Sequence, residues 1–148
     1  MNVEEAIKTN MKIPLKKRTI IHLSLVHNKV NEQVSSTLKP FELSVQQFNV
    51  LRILRGQKGV PANLSTINER MVTKMSNTTR LVDKLITKGY VHRNICEQNR
   101  RKVEISITND GLDLLNEIDG MLIAKEEEIL HDFTNQELEH LNTLLDKF

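Results

Sequence analysis

Residues 74–80 read Lys-Met-Ser-Asn-Thr-Thr-Arg, so Lys74, Ser76, Asn77, Thr78, Thr79 and Arg80 place small polar and cationic side chains where a helix is expected to begin. An exposed helix start of this kind matches the donor and acceptor pattern of the DNA major groove. Asn can pair bidentately with adenine, Arg with guanine, and a Thr methyl can rest on the thymine methyl. Hydroxyls and Lys can instead hold phosphates, which fixes register without reading sequence. Taken singly, each of these residues also suits an ordinary capped helix start with a solvated face. Thr78 falls on the apolar side of the expected helix as well as in the polar set.

A second cationic group follows. Asn99, Arg100, Arg101 and Lys102 fall at the tip of an expected β-hairpin. Arginine there suits a narrow minor groove, where negative potential is concentrated, or the flanking phosphates. The competing reading is a charged turn that keeps an edge strand soluble.

Other chemistry finds little support. No Ser/His/Asp or Cys/His arrangement, Gly-rich phosphate loop or metal motif is present, so an enzyme is not expected. His22, His27, His92, His131 and His140 form no ligand pattern, and Glu126-Glu127-Glu128 reads as a solvated helix face, so neither a metal nor a cofactor is expected. The one cysteine, Cys96, lies beside Arg93 and Arg100, which would stabilise a thiolate, although a lone hairpin cysteine is more often inert. Aromatic residues make up 3% of the chain, too few to favour a base-stacking platform for single strands. No apolar run approaches the roughly 20 residues of a membrane span, and the amino-terminal stretch lacks the pattern of a signal peptide. The cytoplasm is the expected compartment.

The elements that must position the two cationic groups follow from hydrophobic periodicity. Ile20, Leu23, Val26, Val30, Val34 and Leu38 mark one stripe on a long helix from about Pro14 to Leu38, ended by Pro40. Ser44 with Gln47 is a capping box opening a second helix, with Phe48, Leu51 and Leu54 inward and Gly56 at its stop. Residues 56–63 read as a loop. A short helix from about Ser65 to Val72 buries Leu64, Ile67 and Met71, and the next buries Leu81 and Leu85 and ends at Gly89. The period then changes to two: Tyr90–Arg93 and Val103, Ile105 and Ile107 read as two strands of a hairpin. Thr108 caps a long helix carrying Leu112, Leu115, Ile118, Leu122 and Ile129, and Thr134 with Glu137 opens the last. The fold class is therefore mainly α with a small β-hairpin wing, a winged helix-turn-helix.

The charge is segregated. The whole chain of 148 residues carries a net +2, but residues 1–62 and 63–102 each carry +6 and residues 103–148 carry −10. One surface facing a polyanion and another facing away would account for this.

Residues from about Phe41 to Gly111 resemble the multiple-antibiotic-resistance regulator (MarR) family. The family's wing pattern is Asp-x-Arg, five residues, Leu-Thr, two residues, Gly. Here it reads Asn99-Arg100-Arg101, Lys102 to Ser106, then Ile107-Thr108-Asn109-Asp110-Gly111. Ser76 to Leu85, ending Lys88-Gly89-Tyr90-Val91, is similar to the family's recognition helix and exit turn. The resemblance implies a homodimeric transcription regulator binding double-stranded DNA at a pseudo-palindromic operator, with repression more expected than activation. It makes Arg101 the wing arginine, with Asn99 replacing the Asp that braces it by an ion pair. It also implies release by a small aromatic or anionic effector.

Residues 41–111 are thus expected to bind DNA, and about 14–38 and 109–148 to form a helical dimerisation region. Leu23, Val26, Val30, Leu138, Leu141, Leu145 and Phe148 lie on stripes that the wing core of so short a chain cannot cover, so a second copy is their expected cover. A helical hairpin within one chain would be the alternative. A winged helix used as a protein-interaction or scaffolding module, with no operator, is the alternative function.

Overall fold

Pro14, with an extended ψ of 139°, is the N-cap of a helix of 24 residues, about 36 Å long. A computed structural model of the chain describes residues 1–73, 77–95 and 103–148. Its helices are α1 (Val3–Ala6), α2 (Leu15–Leu38), α3 (Val45–Gly56), α4 (Leu64–Arg70), α5 (Thr78–Thr87), α6 (Asn109–Leu130) and α7 (Asn135–Leu145), with a hairpin of β1 (Val91–Ile95) and β2 (Val103–Ile107) between α5 and α6. This is the expected helical architecture with one β wing.

The short α1 had no signal in the periodicity. Asn2 caps it by accepting from the Glu4 and Glu5 amides, and Val3 is fully buried. Arg18 of α2 holds it down, donating from Nε and Nη2 to the Glu4 carboxylate at 2.9 and 3.1 Å. That bond holds the Glu4 carboxyl below its ordinary range and raises Arg18.

The stripe on α2 divides in two. Leu38 is fully buried and Val34 packs against the core, whereas Ile20, Val26 and Val30 remain exposed. Beyond Leu38 the helix tightens into a 3-10 turn through Pro40, and Glu42 takes a left-handed φ of 52° as the chain reverses. Ser44 and Gln47 then exchange both bonds of a capping box, as their spacing predicts.

One apolar core joins Leu38, Phe48, Leu51 and Leu54 to Ile67, Val82, Leu85, Ile105, Leu115 and Ile118. It therefore runs from the end of α2 through the hairpin to the first half of α6. Arg55 of α3 and Asp119 of α6 close its rim with an ion pair at 2.5 Å. Leu122 still packs against the core, but Met121, Ile123 and Leu130 are exposed, and α7 buries none of its residues. No helix among the described residues is long and apolar enough to cross a membrane.

Candidate nucleic-acid interface

The interface is built on α4, the turn after it, α5 and the hairpin. Asn63 caps α4 by accepting from the Thr66 amide at 2.8 Å, and Ile67 anchors the helix in the core. The helix ends at Arg70, two residues before the expected limit. Met71 turns to extended backbone (ψ 131°) while its side chain stays buried, and Val72 is left exposed. Burial of Met71 outside the helix ends α4 without a Gly or Pro to mark it.

Across the turn, Thr78, Val82 and Leu85 face inward from α5 and Leu81 packs at their edge. Val82, absent from the expected apolar face, is fully buried because it follows Thr78 by one helical turn. Thr78 is a correction to the expected groove-facing set. It is buried, and its hydroxyl donates to Asn68 Oδ1 of α4 at 2.6 Å, so it seats the helix instead of meeting a base. Asn77, Thr79 and Arg80 are exposed at the start of α5, and Asn77 caps with its backbone but makes no side-chain capping bond. Lys74 and Ser76 lie outside the described residues.

The hairpin is antiparallel, with Val91 opposite Ile107, Arg93 opposite Ile105 and Ile95 opposite Val103. Ile105 is its buried centre, and β1 buries only Val91. The loop before α4 adds one residue to the sheet: the amide and carbonyl of Ala62 exchange bonds with Ile105 at 2.8 and 2.7 Å. A single paired residue has no period, so the sequence offers no sign of it. Asn99, Arg100, Arg101, Lys102 and Cys96 lie outside the described residues.

Two further contacts join the hairpin to α5. Arg93 of β1 pairs with Asp83 of α5 at 2.8 Å. At the hairpin's exit, the Thr108 hydroxyl donates to the Gly89 carbonyl at 2.8 Å and accepts from the Gly111 amide at 3.0 Å, while the Thr108 amide donates to the Tyr90 carbonyl. The end of α5 and the start of α6 are thereby fastened to one turn. Asp83 and Asn68 escaped the sequence reading because their partners lie ten residues away across a turn, beyond any helical or strand spacing.

A helix with an exposed polar start, held against a preceding short helix and fastened to a β-hairpin, is a winged helix-turn-helix, a class of domain that presents a helix to duplex DNA. A family model described as MarR family matches residues 43–103. The HTH-type transcriptional regulator PecS of Dickeya dadantii (strain 3937) is 31% identical over 126 residues, covering 83% of this chain and 75% of that protein. A MarR-like transcription regulator from Bacillus cereus ATCC 10987 superposes with a TM-score of 0.79 at 21% identity, over 90% of this chain and 96% of the other. BpsR of Bordetella bronchiseptica, whose DNA binding is regulated by 6-hydroxynicotinic acid, does so with a TM-score of 0.78 at 19% identity, over 93% and 96% of the two chains. At those identities the two structures speak to fold. The chain belongs to the MarR family of DNA-binding transcription regulators, which are not enzymes.

Proposed function

We propose that this chain is a cytoplasmic, homodimeric repressor that binds a pseudo-palindromic operator and is released by a small aromatic or anionic effector. The observation that carries the reading is a division of surfaces. α5 presents a polar, exposed start and is fastened to the hairpin through Asp83 and through its exit turn at Gly89. Val26, Val30, Leu141 and Leu145 lie exposed on helices that extend beyond the core. Two copies joined through those helices would carry two α5 starts, and a two-fold pair of reading helices calls for a two-fold site.

In this reading residues 41–111 are the DNA-binding region and about 14–38 with 109–148 the dimerisation region. Asn77, Thr79 and Arg80, with Lys74 and Ser76, meet the major groove or its phosphates. Asn99, Arg100, Arg101 and Lys102 lie along the minor groove or the flanking backbone. Leu23 and Leu138 join the exposed apolar residues above, with Phe148, in the dimer contact. Support for an aromatic, anionic effector comes from the Bordetella regulator, since 6-hydroxynicotinic acid is an aromatic carboxylic acid. An effector acts by favouring a dimer whose reading helices no longer match successive grooves.

Selection of bound duplexes from a random pool tests the proposal. The expected product is an inverted repeat whose half-sites are one helical turn apart, roughly 10 base pairs. Enrichment of no sequence, together with weak binding at every salt concentration, would point to a protein-interaction module instead.

A further inference from the structure

We infer that Asn68 is a positioning residue for DNA reading: its bond to Thr78 fixes the rotational setting of α5 and thereby the discrimination between operators. The inference rests on the DNA-binding reading above and adds to it a residue outside the groove-facing set.

Thr78 is the first residue of α5, and its side chain is buried. A valine would fill almost the same space there without carrying a hydroxyl into the core, where an unpaired one is costly. The hydroxyl is paired, and its partner comes from another helix: Asn68 Oδ1, 2.6 Å away, on the exposed side of α4. The N-cap supplies no comparable restraint, because the Asn77 side chain makes no capping bond and its backbone (φ −135°, ψ 29°) departs from the extended geometry of the caps at Ser44, Asn63, Thr108 and Thr134. Further along, α5 is held by Val82, Leu85 and the Asp83–Arg93 pair. Among the described residues, the directional restraint on the first turn, which carries Thr79 and Arg80, is the Asn68–Thr78 bond. Apolar burial is non-directional and leaves a helix some freedom to roll, whereas base-edge contacts need placement within about 0.5 Å.

The test compares the full-length chain with Thr78→Val, Thr78→Ser and Asn68→Ala. Each is measured on the selected operator, on its single-base variants and on random duplex, alongside thermal melting. Thr78→Val and Asn68→Ala are expected to reduce the preference for the operator over its single-base variants by roughly five- to tenfold. Thr78→Ser is expected to retain it. Thr78→Val should melt close to the wild-type temperature, since no hydroxyl is left buried and the exposed Asn68 oxygen can take a water in its place. That separates positioning from mere stability. Unchanged discrimination in both Thr78→Val and Asn68→Ala, with the wild type still selecting an operator, overturns this inference and leaves the DNA-binding reading intact. A loss of discrimination only in variants that also melt lower overturns it too, because the bond would then be structural. A wild type that selects nothing takes down the DNA-binding reading and this inference with it.

Discussion

The carbonyl oxygen of Tyr90 occupies the place a side chain on Gly111 would need: a β-carbon there would lie 2.5 Å from that oxygen and 2.8 Å from Ile107 Cγ1. The glycine that closes the wing pattern is therefore a close-approach glycine. It lets the first turn of α6 lie against the exit of α5. Gly111→Ala forces backbone apart, and the expected cost is about 1–3 kcal/mol in urea unfolding. On helix propensity alone the same change would stabilise by up to about 1 kcal/mol. A gain would show that the turn can yield.

Thr108 serves the same junction from the other side. Its hydroxyl caps α6 and also reaches the Gly89 carbonyl, so one side chain satisfies a helix start and a helix exit. Thr108→Val keeps the shape and loses both bonds, and about 1–2 kcal/mol of stability is expected to go with them. Thr108→Ser should recover most of it. Equal melting of the threonine and valine proteins would mean that water replaces the hydroxyl at no cost.

Both residues were legible in the sequence as a pattern, though not as a contact. Spacing revealed what is local. Ser44 with Gln47 and Thr134 with Glu137 form their capping boxes, and the alternation of Val103, Ile105 and Ile107 forms β2. What escaped is what local spacing does not encode. Val3 is buried by a helix of four residues, too short to show a period. Ala62 joins the sheet through a single residue. Thr78 belongs to both the polar and the apolar set by type, and only the position of Asn68 decides between them. Of the candidate site, Asn77, Thr79 and Arg80 are exposed at the start of α5, where groove contact requires them.

The cap of α7 should make its stability depend on pH. The Thr134 amide and hydroxyl both donate to the Glu137 carboxylate at 2.8 Å, the amide being the stronger influence, and they hold that carboxyl below its ordinary value. A carboxylate lowered on folding contributes stability above its unfolded pKa, and the contribution disappears as pH falls through the folded value. Glu137→Gln keeps an acceptor without the charge. The wild type should therefore be the more stable at neutral pH, and the difference should vanish on acidification below the ordinary glutamate range. A difference that persists in acid would assign the effect to packing.

Two side chains should separate holding DNA from reading it. If the wing arginine mainly meets backbone, Arg101→Ala weakens binding to all duplexes alike and lowers the slope of log affinity against log salt by about 1. Asn77, exposed at the start of α5, is expected to read a base. Asn77→Ala should change the ranking of operators more than overall affinity for random DNA. An unchanged ranking would remove Asn77 from base readout.

Burial in a second copy can be tested on α7 without disturbing the core. Leu141 and Leu145 are 39% and 41% exposed in a helix that buries nothing of its own, so a charge at Leu141 costs a single chain little. In a dimer contact the same charge would lose its water against apolar neighbours, which costs several kcal/mol unless it finds a partner. Leu141→Glu should therefore keep its helical signal and sediment as one chain where the wild type sediments as two. Two linked reading helices gain affinity through effective concentration, so binding to the whole operator should fall by a factor of roughly a hundred or more, while a single half-site is bound as by one wild-type copy. A variant that remains a dimer and binds the operator normally would place the two-fold contact elsewhere, on the exposed stretch of α2 around Val26 and Val30.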